Sequence, residues 1–245
     1  MATLVMLVLT LLLLAWFSRQ LSLYIQMVFF ALTRNGDQTI VFLFLLLLPG
    51  VIIHEAAHWG AARLLGLKTG KFRVWPKKQG KQIGMGSVSV QRGSLWQDSI
   101  VGLAPLVLGS VLIAWIGQQI FAAEQLSAAL GAQQWAESLW IFRSAFKQPD
   151  GVVWAYLLFA IGNAMMPSAS DREPLLPLIF YSLLALILYV ILGLPLTPFT
   201  ALLTWLTPLL QSLSSAFIFT ILLDGVILFV LYCLVLLMAP RAVAK

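Results

Sequence analysis

The sequence predicts an all-α polytopic membrane protein with about six transmembrane helices and a small β-hairpin on the cytoplasmic side. Hydrophobic residues make up 61% of the 245 positions and charged residues 10%, whereas roughly a quarter of the residues in an average soluble domain are charged. A bilayer core about 30 Å thick requires about 20 apolar residues per helix, and several runs without a charge reach that length. Most of the chain is therefore expected to lie in a lipid bilayer.

Six apolar stretches are the candidate spans. They cover residues 3–30, 39–65, 97–118, 151–170, 174–194 and 215–238. Each is bounded by polar or turn-forming residues, and each is long enough to cross the bilayer as a helix. Arg19 and Gln20 interrupt the first stretch, so it is predicted to be either one span or a short span followed by an interfacial helix.

A basic segment between the second and third spans sets the expected orientation. Seven of the fifteen basic residues lie between Lys68 and Arg92, with no acidic residue among them. Such a cluster is typical of a cytoplasmic loop next to anionic lipid. No basic soluble domain accompanies it, so no nucleic-acid partner is expected. With this loop inside, both chain ends are predicted to be inside as well.

Two segments outside the spans have their own periodicity. Residues 72–75 and 87–91 alternate in the manner of strands and flank a polar turn around Gly80, which predicts a hairpin at the membrane surface. Residues 120–146 carry apolar side chains at helical spacing with Gln and Glu between them. This pattern predicts an amphipathic helix lying in the membrane interface.

The second span contains the sequence His54-Glu55-Ala56-Ala57-His58, an HExxH motif. Residues four apart share one face of a helix, so the two imidazoles can converge on one metal ion, most naturally Zn²⁺. Glu55 is rotated by about 100° from His54 and lies near a metal-bound water, from which it can take a proton. The alternative is that the two histidines only satisfy polar contacts inside a helical bundle, although such burial is costly without a partner.

A catalytic zinc needs a third protein ligand and an open position for water. Asp171 is the first candidate, because Pro167 breaks the helix just before it and irregular backbone at membrane depth is typical of a watery cavity. Its rivals are Glu173, two residues further on, and Asp224, a lone carboxylate in the sixth span. The competing interpretation of Asp171, Arg172 and Glu173 is a solvated charge cluster at the membrane surface.

These motifs resemble the site-2 protease family of intramembrane zinc metalloproteases. The resemblance covers roughly residues 39–173 and includes HEAAH in a span, a surface hairpin, Gly102-Leu103-Ala104-Pro105 at the start of the next span, and Asn163 eight residues before Asp171. It implies one zinc ion held by His54, His58 and Asp171, Glu55 as the catalytic base, and Asn163 in contact with the substrate or the adjacent loop. The chain departs from the family pattern at Pro167, which is four residues after Asn163, and at Arg172, where the family has glycine.

The resemblance divides the chain into three expected parts. Residues 1–38 form the first span and a connector, residues 39–173 a site-2-protease-like catalytic core, and residues 174–245 two C-terminal spans. The implied substrates are transmembrane or membrane-proximal proteins, cleaved on the cytoplasmic side of a prokaryotic membrane. A substrate helix must unwind before cleavage, and we expect the strand at residues 87–91 to pair with it.

Two alternatives to this function are kept. The first is a zinc-binding membrane transporter or scaffold without proteolytic activity. The second is an HExxH membrane peptidase of another class, in which a glutamate is the third ligand; Glu173 would then bind the metal.

Overall fold

A computed structural model of the chain describes residues 2–73, 75, 77–79, 82–84 and 87–238. The predicted turn around Gly80 lies outside these residues. Along the chain the elements are α1 (Ala2–Thr33), α2 (Gly36–Leu64), β1 (Thr69–Arg73), β2 (Lys77–Gln79), β3 (Gln82–Gly84), β4 (Ser87–Val90), α3 (Leu95–Gln119), α4 (Ala123–Gly131), α5 (Trp135–Ala145), α6 (Gly151–Ala164), α7 (Ala169–Arg172), α8 (Leu175–Ile191) and α9 (Thr197–Met238).

The predicted fold class is confirmed. Within the described residues, five helical stretches are long and apolar enough to cross a membrane, judged by length and composition; they are α1, α2, α3, the α7–α8 stretch and α9. α1 is one continuous helix despite Arg19 and Gln20. The segment predicted as one interfacial helix forms two short helices instead, α4 and α5.

Local sequence explains where α2 and α3 begin. The Asn35 side chain accepts hydrogen bonds from the backbone N–H groups of Asp37 and Gln38 and so caps α2. Ser94 and Gln97 form a capping box at the start of α3, with each side chain bonded to the other residue's backbone. Both signals satisfy amide groups that a helix end leaves without an intrahelical partner.

The predicted fourth span is shorter than expected. α6 has 14 residues, which at 1.5 Å per residue gives a length of about 21 Å, less than the roughly 30 Å of the bilayer core. It ends at Ala164 because Pro167 has no backbone N–H with which to continue the helix. The sixth predicted span is longer than expected, because α9 already begins at Thr197.

α1 and α9 form a closely packed pair of helices. Phe17 lies against Gly225 and Tyr24 against Tyr232, so α1 and α9 run side by side in the same direction.

The hairpin region consists of two small antiparallel pairs. β1 pairs with β4, with Thr69 opposite Val90 and an irregularity before Phe72, and β2 pairs with β3. The buried core lies between α1, α2, α3, α6 and α9, and its largest fully buried side chains include Phe44, Phe217 and Phe219. α8 buries none of its residues, so its apolar side chains are left for lipid.

Candidate metal centre

The two histidines of the motif converge as the helical spacing predicts. His54 and His58 lie one turn apart on α2, and their Nε2 atoms are 3.1 Å from each other. Glu55 lies between them in sequence, is 8% exposed, and is close enough to His58 to interact with it electrostatically. The motif therefore presents two imidazole nitrogens at one point, with a buried carboxylate beside them.

Asp171 completes this group from a different part of the chain. Its Oδ1 is 3.3 Å from Nε2 of His58 and its Oδ2 is 3.7 Å from Nε2 of His54. The residue belongs to α7, a single turn whose capping box with Ser168 orients the carboxylate. The Ser168 backbone N–H donates to Asp171 Oδ2 at 2.7 Å. One carboxylate oxygen thus has a main-chain donor on one side and an imidazole on the other.

Each histidine is oriented by a backbone carbonyl. Nδ1 of His54 is 2.8 Å from the Ala164 carbonyl oxygen, and Nδ1 of His58 is 2.8 Å from that of Val101. A carbonyl oxygen only accepts, so both Nδ1 atoms must carry the proton. A ring that carries its only proton on Nδ1 directs its Nε2 lone pair toward the other imidazole and toward Asp171, which is how metal-binding histidines are commonly held.

Two prolines explain why those carbonyls are available. In an uninterrupted α3 the Val101 carbonyl would accept from the N–H four residues on, but that residue is Pro105, which has none. At the end of α6, Pro167 likewise stops the helix. The N–H of Ser168, which a continued helix would direct to Ala164, bonds to Asp171 instead. Helix interruptions thus leave free the two acceptors that the histidines use.

The donor set fits a divalent cation. His54, His58 and Asp171 form a group that could hold a metal ion, with all three ligand atoms within 4.8 Å of one another. Ligands about 2.0–2.1 Å from a tetrahedral zinc lie about 3.3 Å apart, close to the 3.1, 3.3 and 3.7 Å observed. When neither Nε2 atom carries a proton, three lone-pair acceptors face one another, and a cation between them removes their repulsion. Two nitrogens and one carboxylate oxygen also leave a fourth tetrahedral position open for water.

Close packing against α3 brings α7 next to α2. At Gly102, one residue after Val101, an added Cβ atom would overlap the Asp171 carbonyl oxygen. At Gly50 on α2, an added Cβ would overlap the backbone of Ala160 in α6. Both glycines let backbones approach closely, as small residues do between membrane helices. The Gly102-to-Pro105 segment therefore serves the site twice, by approach to Asp171 and by freeing the Val101 acceptor.

A cavity of about 510 Å³ opens beside the group. His58, Gly102 and Asp171 line one side of it, and Val90 and Gln91 at the end of β4 line another. The hairpin therefore reaches the space next to the histidines and Asp171. An extended chain lying along β4 would pass this group.

The other two candidate carboxylates are not part of the group. Glu173 is exposed and lines the same cavity, whereas Asp224 is fully buried and contacts Asn163. Asn163 Nδ2 donates to the Phe159 carbonyl oxygen and to both oxygens of Asp224. Its Oδ1 is buried and has no hydrogen-bond partner within the described part of the chain. The role of Asn163 in holding substrate remains a prediction.

Sequence reasoning missed the residues that support the ligands through their main chain. Val101, Ala164 and Ser168 act through backbone atoms, which every residue type has, so no side-chain motif marks them. The available signal was the position of Pro105, four residues after Val101, and of Pro167, four residues after Asn163. Pro105 removes the N–H that would occupy the Val101 carbonyl, and Pro167 ends α6, so that the Ala164 carbonyl receives no bond from Ser168.

Comparisons of this chain with protein-family models, with curated proteins and with solved structures find no match.

Proposed function

We propose that the protein is a zinc metalloendopeptidase that hydrolyses peptide bonds of membrane-embedded or membrane-proximal proteins. The observation that carries the proposal is the convergence of His54 Nε2, His58 Nε2 and an Asp171 oxygen beside the buried Glu55. We place the protein in a prokaryotic cytoplasmic membrane with this site toward the cytoplasm, because the adjacent hairpin segment is strongly basic.

The residues divide the chemistry between them. A zinc ion bound by the three ligands supplies Lewis acidity and lowers the pKa of water toward about 7. Glu55 takes a proton from the attacking water as its oxygen bonds to the substrate carbonyl carbon. The same carboxylic acid then gives the proton to the leaving nitrogen as the C–N bond breaks. The products are a new carboxylic acid, which releases its remaining proton to solvent or to the new amine, and that amine, with Glu55 again ionised.

Two features support an extended substrate. The β1–β4 sheet has two strands, so the outer edge of β4 has no partner strand among the described residues. Main-chain hydrogen bonds along this edge would replace those that a substrate helix loses on unwinding. Val90 and Gln91 also line the cavity beside His58 and Asp171, so a chain paired with this edge would lie next to the ligand group.

The test is Glu55→Gln in the full-length protein purified in detergent. Zinc content is measured by elemental analysis, and cleavage is followed with fluorescently labelled casein and with synthetic single-span peptides. Glutamine keeps the size of the side chain but cannot take the proton. We expect zinc to be retained while cleavage falls by at least about 100-fold, as for loss of a general base. Glu137→Gln, at an exposed position on α5, is the matched control and should change neither quantity.

Other outcomes would reject the proposal in distinct ways. A wild-type protein that folds but binds no zinc would remove its basis. Zinc binding without cleavage of any probe, in wild type and variant alike, would favour a metal-binding transporter or scaffold. Cleavage unchanged in Glu55→Gln would show that another group acts as the base.

A further inference from the structure

Asp224 is a fully buried carboxylate that the proposed reaction does not use. It lies in α9, and its relative exposure is 0%. No ion pair to it occurs among the described residues, where both close charge pairs involve Asp171. Its partner is Asn163, whose Nδ2 is 3.1 Å from one carboxylate oxygen and 3.3 Å from the other. Burying a carboxyl group in the helical bundle is costly. The hydrogen bond to Asn163 offsets part of this cost, so the role of Asp224 is best sought in what it does to Asn163.

Asp224 fixes the orientation of the Asn163 amide. Of the two hydrogens on Nδ2, one is directed at the Phe159 carbonyl oxygen, 2.9 Å away, and the other at Asp224. Both donors of the amide are then used, and the side chain cannot turn without losing one of them. The contact joins the middle of α9 to the last turn of α6.

The main chain at the end of α6 is tied to α1 and to the metal centre. The Asn163 carbonyl oxygen, which lacks a donor four residues on because residue 167 is proline, accepts from the Ser18 hydroxyl at 3.1 Å. The next carbonyl, that of Ala164, accepts from Nδ1 of His54. The backbone that orients His54 therefore belongs to the same helix end that Asp224 holds by its side chain.

We propose that Asp224 is a positioning residue of the metal centre. By holding Asn163, it keeps the last turn of α6 where the Ala164 carbonyl meets His54, and so it favours the ring orientation that binds metal. The contact requires an oxygen acceptor at position 224 and not a negative charge. This inference rests on the proposed metal site and extends it to a residue 53 positions beyond Asp171.

The experiment compares Asp224→Ala with Asp224→Asn in the full-length protein, freed of metal and titrated with Zn²⁺ against a chromophoric chelator. Loss of a group that orients a metal ligand typically weakens binding by about 10–100-fold. Because Asp224 acts on His54 indirectly, through Asn163 and the end of α6, we expect Asp224→Ala to weaken zinc binding by about 10-fold, at the low end of this range. We expect Asp224→Asn, which keeps an acceptor oxygen, to bind as the wild type does.

Cobalt supplies a readout that is independent of cleavage. In the Co²⁺-loaded protein, the visible absorption bands report ligand geometry, and they should shift in Asp224→Ala but not in Asp224→Asn. Thr220→Val is the matched control, since Thr220 is equally buried in α9 but its hydroxyl bonds within its own helix. It should leave both zinc affinity and the cobalt spectrum unchanged.

Asn163→Ala is a second variant that tests the same contact, and it is used if Asp224→Ala does not fold. It removes the amide through which Asp224 acts, so we expect a similar loss of zinc affinity, and the double variant should be no weaker than the weaker single variant. Wild-type affinity and spectrum in folded Asp224→Ala or Asn163→Ala would overturn the inference and leave the metal site standing. Absence of zinc binding in the wild type would instead reject the proposed function.

Discussion

Pro105 lies four residues after Val101 in α3, and the Val101 carbonyl oxygen bonds to His58 instead of to a backbone N–H in its own helix. A proline inside a helix usually destabilises it by about 3 kcal/mol or more. Here the same missing N–H frees an acceptor that fixes the tautomer of a metal-binding imidazole. The two effects can be separated by substitution.

Pro105→Ala should stabilise the protein and weaken its metal centre. Alanine restores an N–H that competes with His58 for the Val101 carbonyl, so zinc affinity should fall by about 10-fold, while the apparent melting temperature is maintained or raised. The carbonyl can accept two bonds, which keeps the loss at the low end of the range. Pro208→Ala removes the proline inside α9 and should not change zinc affinity. Wild-type zinc affinity in Pro105→Ala would contradict this account.

Gly102→Ala should lower zinc affinity although alanine favours the helix. Alanine ordinarily stabilises a helix by about 1 kcal/mol relative to glycine, but at position 102 its Cβ would overlap the Asp171 carbonyl oxygen. We expect α7 to move away and zinc affinity to fall, measured by titration against a chelator. Gly60→Ala on α2, where no atom lies within 4 Å of an added Cβ, should bind zinc normally. Equal affinities for the two variants would show that α3 does not position Asp171.

The third ligand can be identified by metal content. Asp171→Ala removes the oxygen closest to the two imidazoles, so the purified variant should lose most of its zinc. Glu173→Ala removes an exposed carboxylate from the rim of the same cavity and should retain the ion. The reverse result, with zinc lost only in Glu173→Ala, would assign the site to the class of HExxH peptidases that use a glutamate.

A proline in β4 tests the role of the hairpin edge. The Gln91 N–H donates to the Lys68 carbonyl oxygen, so by strand alternation the Val90 N–H points away from β1. Val90→Pro should therefore reduce cleavage of single-span peptides without disrupting the β1–β4 pair, and zinc content should not change. Val90→Ala controls for loss of the side chain. Unchanged cleavage in Val90→Pro would exclude strand addition as the mode of substrate binding.

Local sequence patterns predicted the ligand group because its chemistry is carried by side chains. His54 and His58 follow from helical spacing, and the break at Pro167 drew attention to Asp171, which the structure brings to both imidazoles. Glu173 and Asp224 could not be excluded by spacing alone. Their distances from the histidines depend on how separate helices pack, which hydropathy does not encode.

The parts that could not be predicted depend on packing between distant segments or on main-chain atoms. The parallel pairing of α1 with α9 brings together residues about 208 positions apart, such as Phe17 and Gly225, whereas hydropathy reports only apolar composition. The contact of Asn163 with Asp224 joins residues 61 positions apart. The acceptors at Val101 and Ala164 are carbonyl groups, which all residue types share.

The three ligands are each steadied by an atom of the polypeptide backbone: the oxygens of Val101 and Ala164 and the nitrogen of Ser168. Substitution of the side chains at these positions leaves those atoms in place as long as the backbone conformation is unchanged. Substitutions during evolution can therefore replace the immediate neighbours of His54, His58 and Asp171 while the arrangement of these three side chains persists. Distant descendants of this architecture should share the ligands and the helix-interrupting prolines, and little else nearby.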